Sequence, residues 1–300
     1  MIKIVKKTDH KKNKLLFGLS PLGLLTLTAC GGGDSDSVSI GGHAVAGPLK
    51  NALAFLDYNF NKTHESNEPS DRTDKDGLYS LTPLAGNADY QIVVTTDDQT
   101  IDGSTGGMLS GVTLTAKAGS KMVTPATTLM HQGGLTAQQV ADVLDLPAGA
   151  NPLTYNPYAE DVDPAEALKF EQKASQIMSI VEAFSGALEG AGASADDAFA
   201  ATMDAVVAMV KQTSDAGGTL DLKSAGDLNA IKVKVETKIA AKAEANPDYD
   251  ATVFTAVAAD TVTAVENMNT MISEITDTDL KSDATKNILQ TAQAVATEVK

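Results

Sequence analysis

The chain has 300 residues, of which 39 are acidic and 23 are basic, so its net charge is −16 at pH 7. A protein this acidic repels nucleic acid and anionic lipid head groups, and we expect neither to be a partner. The chain has one cysteine. It therefore cannot form an internal disulfide bond, and its stability has to come from packing, with the help of a metal ion if one is bound.

The N-terminus combines a basic stretch with an apolar run. Six lysines lie between residues 3 and 14, and the run Leu15–Leu27 is apolar apart from scattered Ser, Gly and Pro. The run is too short to span a bilayer comfortably, and small residues follow it. We expect residues 1–29 to be a signal peptide that is cleaved. A soluble helix is the alternative, but two glycines and a proline within the run disfavour it.

The residues Leu27, Thr28, Ala29 and Cys30 resemble the lipobox of bacterial lipoproteins. The resemblance implies that the Cys30 thiol receives a diacylglycerol and that the new N-terminus is acylated with fatty acids such as palmitate. Each buried methylene contributes about 0.8 kcal/mol, so two or three chains would hold the protein firmly at a membrane. Cleavage would leave 17 basic and 38 acidic side chains. A cleaved signal with an unmodified Cys30 is the alternative.

The remaining chain divides into segments of different pattern. Residues 30–37 are rich in Gly, Ser and Asp and are expected to form a flexible tether. Residues 38–121 contain short apolar runs broken by Gly, Pro, Asn and Asp, which predict a small antiparallel β-sandwich. These runs are Ala52–Leu56, Leu78–Leu81, Tyr90–Val94 and Gly111–Leu114.

Residues 122–300 are rich in alanine and carry apolar side chains at helical spacing, which predicts an all-α bundle. Thr136 with Gln139, Asp163 before Pro164, and Ser194 are candidate helix starts. The stripe Phe254–Ile275 predicts the longest helix. The predicted fold is therefore an α+β multidomain protein. The apolar stripes either bury one another or form a groove for a partner, and mutual burial is favoured.

Oxygen-bearing side chains between residues 57 and 68 have the ligand spacing of an EF-hand-type calcium loop. The candidate ligands, with Thr63 acting through its backbone carbonyl, are Asp57, Asn59, Asn61, Thr63, Glu65 and Glu68. Lys62 stands where the helical motif has glycine, so we expect a strained turn. The segments on either side of residues 57–68 have the pattern of strand and coil rather than of the two helices of the motif. A solvated turn rich in Asn and Asp, without metal, is the alternative.

The segment 40–117 resembles carboxypeptidase-regulatory-like and prealbumin-like sandwich modules, especially those of bacterial surface proteins with an Asp-x-Asn-x-Asn loop. The likeness is carried by Gly47–Ala52, by Phe55–Asp57 with the asparagines that follow, and by Thr73–Leu81. It implies a structural module, often stiffened by calcium, without catalytic residues, in which Asp76 and Gly77 form a tight turn. Two later segments, Val123–Leu129 and Leu146–Pro157, resemble an uncharacterised helical region of bacterial cell-surface proteins.

No catalytic arrangement stands out in the sequence. After cleavage the histidines would be His43, His64 and His131, which lie far apart and lack metal-ligand spacing. Gly190–Ala195 matches a dinucleotide-binding pattern but follows a helix instead of a strand, so we interpret it as a turn.

We therefore expect a non-enzymatic lipoprotein of the cell envelope, with a structural or adhesive role. It would have a calcium cofactor, a membrane anchor and an envelope or surface protein as partner. Gly31 follows the cysteine where some retained inner-membrane lipoproteins carry Asp, which favours the outer membrane and its outward face. An accessory lipoprotein with a ligand pocket among the helices, and a hydrolase with a site assembled from distant residues, are the alternatives.

Overall fold

The computed structural model describes residues 39–86, 89–243 and 248–298. The expected signal peptide, the lipobox residues Leu27, Thr28, Ala29 and Cys30, and the tether 30–37 lie outside the described residues. Within the described ranges the chain forms nine strands followed by seven helices, so the predicted mixed α+β fold is confirmed. None of the described helices combines the length and apolar character that crossing a membrane requires.

The nine strands form three sheets. They are β1 (Ile40–Ala44), β2 (Leu49–Lys50), β3 (Leu53–Asp57), β4 (Ser70–Arg72), β5 (Leu78–Leu81), β6 (Gln91–Thr95), β7 (Ile101–Asp102), β8 (Thr113–Lys117) and β9 (Met122–Val123). The largest sheet is antiparallel in the order β4-β3-β6-β8, and a second has the order β5-β1-β9. Strand β9 pairs in parallel with β1, so the β structure continues just past residue 121. Strands β2 and β7 form a separate antiparallel pair.

The seven helices are α1 (Pro125–Gly133), α2 (Ala137–Leu144), α3 (Pro164–Gly190), α4 (Ala195–Asp215), α5 (Ala225–Ala243), α6 (Ala251–Ser273) and α7 (Asp283–Glu298). Thr136 and Gln139 form a capping box at α2, and Asp163 and Ser194 cap α3 and α4, as predicted. The longest helix is α3 with 27 residues, whereas α6 has 23, so the expectation that the stripe Phe254–Ile275 forms the longest helix is wrong.

The sheets and the helices share one hydrophobic core. It runs from sheet residues such as Leu56 and Leu114 through Leu129 of α1 to Phe184 of α3, and all four are fully buried. Helix α3 packs against α1, α4, α6 and α7. Helix α3 is therefore enclosed on several sides, and polar residues on it can be withdrawn from water.

Helix α1 is bound to the sheet by threonines. Thr115 of β8 donates its N–H to the Thr128 hydroxyl over 2.9 Å, and the Thr115 carbonyl accepts from the Thr127 hydroxyl at 3.2 Å. All three residues are buried. Threonine is a modest helix former, so these contacts with the sheet, rather than intrinsic propensity, account for the helix.

The turn before β5 requires glycine at position 77. Gly77 has φ +78°, and a Cβ added there would lie 2.4 Å from the carbonyl oxygen of Ala44. Asp74 Oδ1 accepts the N–H groups of Asp76 and Leu78 on either side, at 2.8 and 2.9 Å. The tight turn expected at Asp76 and Gly77 is therefore present.

We expect Gly77→Ala to lower the free energy of unfolding by roughly 3 kcal/mol, because alanine meets both left-handed strain and a clash with fixed backbone. Gly119→Ala is the matched control: Gly119 has φ +85° but open space around it, so its cost should be about 1 kcal/mol. Urea unfolding of both variants measures the difference. Equal decreases in the free energy of unfolding for the two variants would show that the backbone at Ala44 moves away from the new methyl group without further cost.

Candidate functional site

The predicted metal-binding loop, residues 57–68, starts at the end of a central strand. Asp57 is the last residue of β3 and is 0% exposed. Its Oδ1 accepts the N–H groups of Asn59 at 3.1 Å and Phe60 at 2.6 Å, and its Oδ2 accepts that of Lys62 at 2.7 Å. The carboxylate therefore lies inside the loop and organises its first half.

The two asparagines continue the same pattern. Asn59 Oδ1 accepts the N–H of Asn61 at 3.0 Å, and Asn61 Oδ1 accepts that of Thr63 at 2.7 Å. Their amide nitrogens both donate to Glu65 Oε1, at 3.1 and 2.6 Å. These two hydrogen bonds hold the pKa of Glu65 below its ordinary value, and the bond from Asn61 has the larger effect. Side chains at alternate positions thus turn to one side of the loop, as the ligand spacing requires.

Glu68 closes the loop. It is 6% exposed, and its Oε1 accepts the N–H of Tyr58 while its Oε2 accepts that of Glu65, each at 3.1 Å. The structure therefore brings all six predicted ligands, Asp57, Asn59, Asn61, Thr63, Glu65 and Glu68, into one hydrogen-bonded loop. Thr63 takes part through its N–H group, which donates to Asn61, whereas the atom predicted to bind the metal is its backbone carbonyl oxygen.

The turn within the loop is strained, as expected at Lys62. Lys62 has φ +63° and Phe60 has φ +62°, and neither is glycine. Such residues cost about 1–3 kcal/mol each and persist only where the surroundings fix them. Here the Asp57 carboxylate fixes both, because it accepts their N–H groups. The strain at Phe60 was not predicted, because no glycine-requiring motif position falls there.

The oxygen atoms of this loop are of the kinds that bind calcium, but the carboxylate of Asp57 already accepts as many hydrogen bonds as it can. Calcium prefers carboxylate, amide and carbonyl oxygens, which are the groups present. A carboxylate has about four lone-pair sites, and Asp57 accepts three backbone N–H groups and, at 2.6 Å, the Nε2 of Gln91. Across the described residues, no group of three or more His, Cys, Asp and Glu side chains is arranged to hold a metal ion. Binding would therefore require Asp57 to exchange a hydrogen bond for the ion.

A hydrogen-bonded relay joins the loop to helix α1. Gln91 faces Asp57 across the β3–β6 pair, and its Oε1 lies 2.7 Å from His131 Nε2. The amide nitrogen of Gln91 donates its hydrogen bond to Asp57, so the amide oxygen of Gln91 faces His131. Because an amide oxygen can only accept, His131 Nε2 is the donor. Burial is the main cause that lowers the pKa of His131, and the positive charges of Lys62 and Lys117 lower it further. Sequence reasoning missed this relay because Gln91 and His131 are 40 residues apart.

A second polar cluster lies between the sheets and the helices. Asp102 of β7 accepts hydrogen bonds from the Ser104 hydroxyl at 2.7 Å and the Thr105 hydroxyl at 3.0 Å. Glu171 of α3 is 2% exposed, and its Oε1 accepts the N–H of Gly47 at 3.2 Å. Burial, then the charge of Asp102, raises the pKa of Glu171 to about 8. Burial also raises the pKa of Asp102.

Glu182, three turns further along α3, belongs to the same region. Burial is the main cause that raises the pKa of Glu182 to about 8, and the negative charge of Asp102 adds to it. The hydroxyl of Tyr158 lies in the same cluster, where burial, and after it the charges of Glu171 and Asp102, raises the pKa of Tyr158 well above its ordinary value. The sequence did not single out these carboxyls, because acidic residues are abundant and only the enclosure of α3 distinguishes them.

Comparisons of the chain with protein-family models, with characterised proteins and with solved structures gave no match. The resemblances over residues 27–30, 40–117 and 123–157 therefore stay predictions from the sequence.

We expect the protein to lose stability as the pH rises from about 5 to 8, and Glu171→Gln to reduce this loss. The pKa of Glu171 is raised from 4.5 to about 8 on folding, so its contribution is complete below pH 4.5 and is lost as the pH approaches 8. One such group changes the free energy of unfolding by about 1 kcal/mol per pH unit. Denaturant unfolding at several pH values measures the slope.

Glu166→Gln, at an exposed position of the same helix, is the control and should retain the wild-type slope. If Glu171→Gln and the wild type have parallel pH profiles, Glu171 does not hold its proton in the folded state.

Proposed function

We propose that the chain is a lipid-anchored protein of the bacterial cell envelope with a non-enzymatic, structural or adhesive role, in which calcium bound by residues 57–68 stiffens the β-rich part. The observation that carries the calcium proposal is the folded loop. Six oxygen-bearing residues at ligand spacing are held in one turn through two strained, left-handed residues, Phe60 and Lys62. Strain of this kind collects at functional sites.

The finer architecture belongs to the same proposal. The antiparallel sheet β4-β3-β6-β8 and the sheet β5-β1-β9 would be the layers of a sandwich module of the carboxypeptidase-regulatory-like type. Helices α3 to α7 would form the bundle, since α3, α4, α5 and α6 pack on one another along their lengths. The module would present the loop, and the bundle would present exposed helix faces to an envelope or surface protein.

Calcium would act on charge and on strain together. Asp57, Glu65 and Glu68 place three carboxylates on twelve residues, and a divalent cation offsets their mutual repulsion. A cation that holds the loop also holds Asp57, and through Gln91 the effect reaches His131 on α1. The loop would then stiffen the contact between the sheet and the helix as well as itself.

We expect Asn61→Asp to distinguish a calcium loop from a self-contained turn. An added carboxylate beside Glu65 and Asp57 should lower the melting temperature in chelator, because it adds repulsion. It should increase the stabilisation by calcium, because ligand charge raises affinity. A concentration of 100 times the dissociation constant stabilises a protein by about 2.7 kcal/mol. Melting of the full chain in chelator, calcium and magnesium measures both effects.

The matched control is Asn229→Asp on α5, an exposed asparagine outside the loop, which should leave the calcium response unchanged. Identical melting of the wild type and Asn61→Asp with and without calcium would show that the loop is a turn stabilised by its own hydrogen bonds. The structural and adhesive role would then lose its proposed cofactor.

The anchor is tested separately. We expect Cys30→Ser to abolish acylation, and to move the protein from the detergent-rich to the aqueous phase in temperature-induced detergent partitioning of bacterial cells, because each acyl methylene contributes about 0.8 kcal/mol to membrane binding. Mass spectrometry of the N-terminal peptide checks the modification directly. A wild-type protein that starts at Met1, or carries an unmodified thiol at Cys30, would overturn the proposed location.

A further inference from the structure

A cleft of about 280 Å³ lies between the segment that precedes β8 and helices α3 and α4. Its walls are about equally polar and apolar, and the apolar part includes Met108, Leu109, Val112, Val181 and Phe199. Met108 is 74% exposed at this cleft. Small-molecule sites of proteins are concave and mostly apolar, with a few polar groups that orient the ligand. This cleft is concave and has an apolar wall, and its volume is close to the lower limit of the usual size range.

The polar residues that line the cleft supply the second property; they are Ser110, Glu182, Ser185, Glu189 and Gln293. Ser185 is 6% exposed and lines the cleft, and its hydroxyl oxygen has no hydrogen-bond partner. Buried hydroxyl groups are nearly always hydrogen-bonded, so an unpaired one inside a cleft indicates a missing partner. Glu182 precedes Ser185 by one turn of the helix and lines the same cleft.

Glu182 has no positive charge to balance it. It also lines a cavity of about 40 Å³, whose other lining residues include Asp102, Ser104 and Ser175. In the part of the chain that the structure describes, its carboxyl group has no hydrogen-bond or ion-pair partner. None of the residues that line the cleft or the cavity is basic. A half-buried carboxyl group without a counter-charge favours a ligand that brings one.

We propose that this cleft binds a small organic cation, an ammonium group carried on an apolar body, with the ammonium between Glu182 and Ser185 and the body against Met108 and Phe199. Charge complementarity selects this class, because anions meet Glu182 and, behind it, Asp102. The volume limits the ligand to a small molecule. The cleft uses no residue of the loop 57–68, so it stands or fails independently of the calcium site and extends the protein's role beyond a structural one.

The test uses a pair of probes that differ in charge alone: hexylammonium chloride and 1-hexanol. Calorimetric titration of the full chain should show hexylammonium binding at least tenfold tighter than hexanol. Glu182→Gln, which keeps the size of the side chain, should weaken hexylammonium at least tenfold and leave hexanol unchanged. Glu166→Gln on the same helix, outside the cleft, is the control and should bind both probes as the wild type does.

Met108→Lys is a second variant, at an exposed position where folding is not at risk. The added positive charge should weaken hexylammonium more than hexanol. Equal affinity of the wild type for the two probes, undetectable binding of hexylammonium, or unchanged hexylammonium binding by Glu182→Gln would each overturn the proposal.

Discussion

The buried carboxylate of Asp57 is the point at which three parts of this fold meet. It ends a central strand, accepts three N–H groups of the loop that follows, and accepts the amide of Gln91 on the neighbouring strand. Gln91 in turn accepts from His131 on the first helix. The left-handed conformations of Phe60 and Lys62 depend on this acceptor, because their N–H groups would otherwise lose their partner. The sheet, the loop and the helix therefore share one buried charge.

The carboxyl groups on α3 illustrate the opposite condition. Glu171 accepts one backbone N–H group, that of Gly47, and Glu182 has no hydrogen-bond or ion-pair partner among the described residues. Asp57 accepts hydrogen bonds from four donors, whereas these two groups are most stable when they carry a proton or face a cation. The difference comes from the elements around them. A loop offers free backbone N–H groups, while a helix has already used its own internally.

The sequence was sufficient where the determining interactions are local. Capping by Thr136, Asp163 and Ser194 follows from side chains that reach only three residues along the chain, whereas the turn at Gly77 was expected from the resemblance to the sandwich modules. The spacing of residues 57–68 likewise placed the candidate ligands in one loop. Helix α1 was not identified because its threonines are poor helix formers, and the contacts of Thr127 and Thr128 with β8 override that tendency. The environments of Glu171, Glu182 and Gln91 depend on partners from distant elements, which no local pattern contains.

A shortage of basic residues connects these features. The chain has 23 basic side chains against 39 acidic ones. The ion pairs found among the described residues all lie at the surface, with side chains at least 37% exposed. In the part of the chain that the structure describes, the buried carboxyls of Asp57 and Glu171 and the half-buried carboxyl of Glu182 therefore form no ion pair with a lysine or an arginine.

Each buried carboxyl has to be balanced in another way: by backbone donors, by protons, or by cations from solution. Surface ion pairs contribute little to stability, so the exposed pairs of this fold do not supply that balance. The proposed calcium loop and the proposed ammonium-binding cleft would be two sites at which a cation from solution supplies that balance.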